Sequence, residues 1–575
     1  MVNSPRLLRA LTRIRSKSLQ PVQCTTRATH SYAHGASSSP LLYETIGHRF
    51  RAAVEAVPDK ELYLFDHQGI RKSYAEAYKD ARQLACALLE LGLAPGDRVG
   101  IWGPNYYEWV TCQMATAIGG FVQVNVNPSY HSDELRYALE KVGPGAGHIK
   151  SRALPELEHF IVFGETEKLK GCWSYDELLT GVGSTSVNRL KVIEDAIRVD
   201  DPVNIQYTSG TTGYPKAATL THHNLLNNSY FQGVRSEYHL GDHSICIPNP
   251  LYHCFGSAMG VLNAIIHRQS TVFPDAAFNP LKTLEVVSRE KCTSLYGTPT
   301  MFIDMLNHVE GAKKNGLDFS KLNAGYMCGA PCPIALCERV VNELGMQNLI
   351  ILYGSTELSP VVTMSKLDEE TAVRFKHVGY PLDHVELMVV DAEGQVVPRG
   401  TEGELLARGY NTMRGYYNDE ERTKKEIDSA KWYHTGDTAV MNEDTTVSIV
   451  GRSKEMIIRG GENIYPTEIE QFLFKIPGVA DAQVIGVPDE RLGEAVCAWI
   501  RLREGATGVT PESITEACKG KMAHYKIPKY ILIKNEKDFP LTVTGKVRKT
   551  VLRKISKQEL GLGQVRSHFN DVTSS

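Results

Sequence analysis

The stretch from Ser73 to Trp102, SYAEAYKDARQLACALLELGLAPGDRVGIW, decides the fold class. Ser73 followed by Glu76 is a capping box, which satisfies two of the orphan N–H groups that open a helix. Tyr74, Tyr78, Ala81, Leu84, Leu88 and Leu91 then recur at helical spacing. Pro95-Gly96-Asp97 ends the pattern with a turn, and the run from Arg98 to Trp102 reads as a strand. A second helix-like run closes at Gly119-Gly120, after which Val122, Val124 and Val126 alternate in a strand closed by Pro128. Helices alternating with short apolar strands predict an α/β architecture with buried, mostly parallel sheets.

Further strands are expected at Ile245 to Pro248, Leu349 to Tyr353, Val385 to Asp391 and Ser448 to Val450. Near Gly451 the texture changes to a basic, Gly-containing stretch, followed by a helix from Pro466, a strand from Ala482 to Val487, and a basic tail. The expected organisation is a leader over 1–40, a large domain over 41–450, a joint at 451–454, and a small α+β domain over 455–575.

The composition bounds the function. Of 575 residues, 42% are hydrophobic and 22% charged, as in globular proteins. A net charge of −3 gives no general reason to expect a nucleic-acid partner. No apolar run approaches the roughly 18 residues of a transmembrane helix; the longest candidate, Val110 to Val126, is interrupted by Gln113, Gly119, Gly120 and Gln123. The 12 cysteines are scattered without a C-x2-C pair, which argues against a zinc site or a disulfide framework. The leader carries Arg6, Arg9, Arg13, Arg15, Lys17 and Arg27 and no acid before Glu44. Arg6, Arg9 and Arg13 fall on one helical face and Leu7, Leu8, Leu11 and Ile14 on another, which with the Ser-rich, acid-free composition reads as a mitochondrial transit peptide, so a mitochondrial matrix location is expected.

The chemistry concentrates in short motifs. The stretch Thr208-Ser209-Gly210-Thr211-Thr212-Gly213-Tyr214-Pro215-Lys216 combines hydroxyls, glycines and a cation, a loop whose N–H groups can approach phosphate oxygens. It lacks the Gly-Lys-Ser/Thr ending of a Walker loop, and taken alone it could be a flexible turn. Tyr353-Gly354-Ser355-Thr356-Glu357 follows an apolar run, and so falls at a strand's carboxyl end, where α/β proteins place ligands. Tyr433-His434-Thr435-Gly436-Asp437 offers a carboxylate suited to ribose hydroxyls. Gly451-Arg452-Ser453-Lys454 and Arg459-Gly460-Gly461-Glu462-Asn463 flank the domain joint. Leu541-Thr542-Val543-Thr544-Gly545-Lys546 sets a lysine on a glycine turn.

This set, in this order, resembles the adenylate-forming superfamily of acyl-CoA synthetases, luciferases and peptide-synthetase adenylation domains, from about Leu41 to about Leu552. Asn249 to Cys254, Leu295 to Phe302 and Arg459 to Pro466 look most like the fatty acid–CoA ligases that act on medium chains. The resemblance implies ATP, Mg²⁺ and coenzyme A, with a fatty acid activated through an acyl-adenylate. It implies that the loop from Thr208 to Lys216 holds the β/γ-phosphates, that Thr356 donates to the α-phosphate, and that Glu357 holds the metal. Gly329, Ala330, Pro331 and Tyr353 would bracket adenine, and Asp437 would take the ribose with help from Arg452. Lys546 would bridge the reacting carboxylate and phosphate, and His253 would sit at the acyl mouth. Lys454 would be the hinge of a mobile small domain, whose rotation replaces Lys546 by the Gly460-Gly461 passage for coenzyme A.

Two departures from the resemblance carry expectations. Ala217 stands where the family usually has glycine; in a left-handed conformation it would be strained by about 1 kcal/mol. The connector from Pro144 to Ala153 is shorter than in relatives, which would expose a sheet edge. It motivates the alternative of a catalytically impaired nucleotide- or acyl-binding paralogue or splice form.

Overall fold

The computed structural model describes residues 30–130, 135, 136, 140, 158–164, 172–180, 182–208, 215–542 and 546–562. Most of the leader and the connector from Pro144 to Ala153 lie outside them.

The opening stretch folds as its pattern dictates. Glu76 N–H donates to Ser73 Oγ at 3.2 Å, and Ser73 N–H to Glu76 Oε2 at 2.8 Å. The helix Tyr74–Glu90 follows, burying Tyr74, Ala81, Leu84 and Leu88. Arg98–Trp102 and Val122–Val126 are parallel neighbouring strands joined through the helix Tyr107–Gly119.

Three sheets of five or more strands build most of the large domain. The nine-stranded sheet runs Tyr380–Pro381, Val361–Met364, Asn348–Gly354, Ala324–Met327, Ser294–Gly297, Ser244–Cys246, Ser270–Phe273, Glu61–Phe65 and Ile70–Ser73. The pairs from Asn348–Gly354 through Glu61–Phe65 are all parallel, and both ends are closed by antiparallel strands. A second sheet orders Gly415–Tyr416, Lys216–Thr221, Pro202–Thr208, Val122–Val126 and Arg98–Trp102. Among the described residues Arg98–Trp102 is its outer strand, with Trp102 46% exposed.

The third sheet departs from a mostly parallel reading. Tyr32–His34, Val385–Val390, Glu402–Gly409, Tyr433–Met441 and Val447–Arg452 pair antiparallel throughout. After residue 380 consecutive strands are linked without long helices, and links that short return the chain antiparallel. The same sheet takes in residues from the end of the segment expected as a leader. Tyr32 registers against Met388, Ser31 is buried, and Ser31 Oγ donates to Pro398 O at 2.9 Å. Residues 31–40 therefore pack with the large domain.

Beyond Arg452 a separate sheet forms around Gly493–Leu502, paired antiparallel with Val479–Asp489 and parallel with Tyr530–Ile533. Pro466–Leu473, Pro511–Cys518 and Lys549–Glu559 are its helices. The α+β composition matches the expectation for the small domain. It meets the large domain through Arg501 Nη1, 3.0 Å from Asp304 Oδ1, and through Gln471 Nε2, which donates to Cys332 O at 3.4 Å. Among the described residues no helix is long and apolar enough to cross a membrane.

Candidate active site

The carboxyl ends of the parallel strands supply the site. Ala324–Met327 leads into Gly329, Ala330 and Pro331, and its neighbour Asn348–Gly354 ends in Tyr353 and leads to Thr356 and Glu357. Gly329 has φ +91°, and a Cβ added there would lie 3.4 Å from Lys546 Cε. The lysine of the small domain thus reaches the loop expected to hold adenine.

Asp437 and Arg452 are register partners on adjacent antiparallel strands. Asp437 is buried, accepts from Tyr353 Oη at 2.5 Å, and pairs with Arg452 Nε at 3.0 Å. Burial and the Asp437 charge push the Tyr353 phenol well above its ordinary pKa, so it remains a donor. Thr435 Oγ1 accepts from the Asp437 N–H at 3.1 Å, fixing the turn that presents the carboxylate.

Glu357 is buried, its Oε1 accepting from the Thr208 hydroxyl at 3.1 Å and lying 3.0 Å from the Tyr416 phenol oxygen. These contacts leave Oε2 for a cation. Nearby, Ser355 Oγ is buried without a partner. One carboxylate with phosphate oxygens and water is an ordinary Mg²⁺ environment, so these residues fit the metal. Among the described residues no group of three His, Cys, Asp or Glu gathers as a metal site.

The strands on either side of the glycine–threonine loop are neighbours. Pro202–Thr208 and Lys216–Thr221 pair antiparallel, with Thr208 opposite Lys216. Ser209, Gly210, Thr211, Thr212, Gly213 and Tyr214 lie outside the described residues; Pro215 and Lys216 follow them. Ala217 pairs with Tyr207 inside the strand and is buried. It is absent from the left-handed conformations, so the strain considered for it does not arise.

Two titratable groups at the centre are shifted chiefly by burial. Burial, and secondarily the Lys546 charge, lowers His253 to about 3. Burial, then Arg452, pulls Lys546 below the ordinary lysine range. His253 Nδ1 accepts the Phe255 N–H at 3.1 Å, so neutral His253 carries its proton on Nε2. A π-helix, Phe255–Leu262, starts there and is wholly buried. The adjacent Cys254 thiol is pushed up to about 11 by burial, which keeps it protonated and unreactive.

Thr356, Glu357, Tyr353, Asp437, Arg452, Gly329 and Lys546 therefore converge. Gly460 and Gly461 do not. They form a two-residue turn between Ile457–Arg459 and Glu462–Ile464, with φ +61° and +89°. Both are exposed, and a Cβ on Gly461 would meet nothing within 4 Å. Lys454 lies in the short turn Ser453–Glu455 that joins the two domains. Sequence reasoning missed Tyr416 and Glu426, which reach Glu357 and Lys216 from a distant turn and helix; no motif marks them.

The fold and this constellation define an adenylate-forming enzyme, and the chain belongs to the AMP-binding enzyme family, whose model matches residues 50–417. The AMP-binding enzyme C-terminal domain matches 468–546. Among curated proteins it is similar to the medium-chain acyl-CoA ligase ACSF2, mitochondrial, of Danio rerio, at 43% identity over 93% of this chain and 92% of the relative. Among solved structures it resembles the anthranilate CoA ligase AuaEII in complex with anthranoyl-AMP, with TM-score 0.79 and 25% identity over 91% of this chain and 99% of that one. ATP-bound MatB from Rhodopseudomonas palustris gives TM-score 0.75 and 27% identity over 90% of this chain and 100% of that chain.

Proposed function

We propose that this chain joins a medium-chain fatty acid to coenzyme A at the expense of ATP, in the mitochondrial matrix. In the first step a carboxylate oxygen attacks the α-phosphorus. The bond from that phosphorus to the bridging oxygen breaks, and pyrophosphate leaves. In the second, the thiol of coenzyme A gives up its proton and attacks the acyl carbon, and the acyl–oxygen bond breaks to release AMP.

The single observation that carries this reading is the approach of Lys546, from the small domain, to Gly329, His253 and Asp437 of the large one. A cation at that position neutralises the charge that gathers between carboxylate and α-phosphate during attack. Asp437 would hold the ribose hydroxyls, with its orientation fixed by Tyr353 and Arg452. The Gly329–Pro331 loop and Tyr353 would enclose adenine. Thr356 would donate to the α-phosphate, and the Thr208–Lys216 loop would hold the β/γ-phosphates. Mg²⁺ on Glu357 would neutralise phosphate charge. His253, neutral with its proton on Nε2, would donate to the acid at the acyl mouth.

The exposed Gly460-Gly461 turn fits a second arrangement. Rotation about Lys454 would withdraw Lys546 and bring the turn to the thioester side, where an absent Cβ lets a pantetheine arm pass close to backbone. The basic, acid-free stretch before His30 supports reading the start of the chain as an import signal. The relatives it matches along nearly its whole length are ligases, which supports this reading over the binding-only alternative.

Incubation with octanoate, ATP, Mg²⁺ and coenzyme A tests the reading. Octanoyl-CoA, AMP and pyrophosphate should form together; nucleotide binding without acyl-CoA would restore the alternative. A panel of graded acids would then set the chain length.

A further inference from the structure

One acidic side chain is built against the phosphate-loop lysine without a role in the scheme above. Glu426 ends the short helix Glu420–Glu426. Its Oε1 lies 2.5 Å from Lys216 Nζ and 3.7 Å from Arg422 Nε, and its Oε2 accepts from Tyr416 Oη. The same phenol oxygen contacts Glu357 Oε1 at 3.0 Å and receives Lys216 at 3.3 Å. The Lys216 and Glu426 side chains are only 14% and 21% exposed, so solvent screens the pair weakly.

Proton counting shows how this cluster is balanced. A phenol carries one hydrogen. It satisfies Glu357 or Glu426 at any moment, and the remaining contact sets oxygen lone pairs against each other. Lys216, above the same ring at 5.1 Å from its centroid, supplies the charge that lets two carboxylates flank one hydroxyl. A phosphate oxygen that draws on Lys216 therefore competes with Glu426, and the Glu426 charge repels it.

We propose that Glu426 is a positioning residue that competes with the polyphosphate for Lys216, weakening the hold on ATP and pyrophosphate while leaving AMP untouched. Pyrophosphate departs more readily when the lysine has an intramolecular carboxylate to return to, which favours adenylate formation over its reversal. This rests on the reading of Lys216 as a ligand of the β/γ-phosphates.

The test is calorimetric titration of the full chain, in Mg²⁺, with ATP, inorganic pyrophosphate and AMP. Glu426→Gln keeps the shape and removes the charge. The Kd for pyrophosphate and ATP should fall roughly threefold to tenfold, with the inhibition constant of pyrophosphate falling alongside and AMP unmoved. Glu426→Asp, which retains the charge, should stay near the parent. Lys216→Ala separates the two layers of the claim. It should loosen ATP and pyrophosphate but not AMP. No effect there removes the phosphate role of Lys216, and the proposal with it. Loosening by Lys216→Ala without tightening by Glu426→Gln overturns the proposal alone. A Glu426→Gln variant that binds AMP tighter by the same factor, or pyrophosphate more weakly, also overturns it, because either marks structural support rather than competition.

Discussion

Replacing Lys546 by alanine separates the two half-reactions. Thr542 Oγ1 accepts the Lys546 N–H at 3.0 Å, and the lysine stem passes beside Gly329. Burial already penalises its charge, so it is placed where water screens it poorly. At an effective dielectric of about 20, a unit charge about 4 Å from developing negative charge contributes about 4 kcal/mol. Losing that from the first transition state slows adenylate formation roughly 10³-fold. The assay is pyrophosphate release from octanoate and ATP, set against conversion of supplied octanoyl-adenylate to octanoyl-CoA. The second rate should stay within about threefold of the parent, a barrier change below about 1 kcal/mol. Equal losses in both would refute the reasoning, since a lysine used in only one arrangement cannot serve both steps. Removing the charge should also raise the pKa of His253, which Lys546 holds down, and imidazole resonances would report it.

Other outcomes follow from the same geometry. Asp437→Asn removes a buried carboxylate held by Tyr353 and Arg452, and should weaken ATP and AMP alike by roughly 10- to 100-fold in calorimetry. Gly461→Leu should leave pyrophosphate release within about twofold and lower acyl-CoA formation by at least tenfold at saturating adenylate; its φ of +89° also predicts a strain of about 1 kcal/mol in thermal unfolding. Burial depresses His222 and His267 to about 4 and His253 to about 3, so these bases stay neutral in the fold and take up protons on unfolding. Their contribution to stability is complete above about pH 6.5 and is lost as the pH falls toward 4. Denaturant titrations should therefore lose up to about 1.4 kcal/mol per pH unit for each histidine. Asp304 has the opposite sense: burial raises it to about 6 against the pull of Arg501. Its favourable term is complete below about pH 4 and is lost as the pH rises through 6, so Asp304→Asn should gain stability over the parent from pH 5 to pH 8, as read by thermal unfolding.

Much of this protein was legible along the chain because the relevant physics is local. A capping box and a helical period act between residues a turn apart, and Ser73, Glu76 and the Tyr74–Glu90 helix follow from them. A glycine pair between two strands makes its own turn, as at Gly460 and Gly461. The chemical character of Lys546, Asp437 and Glu357 likewise follows from residue type and motif.

Tertiary packing decided the rest. Nothing near Tyr32 in sequence says that it pairs with Met388. The direction of the strands after residue 380 depends on what each strand finds beside it. Glu426 looks like a solvated charge on a short helix until Gly415–Tyr416 docks against Lys216–Thr221 and brings it to Lys216. Electrostatic coupling depends on distance through space, and the chain contributes to that distance only after it has folded.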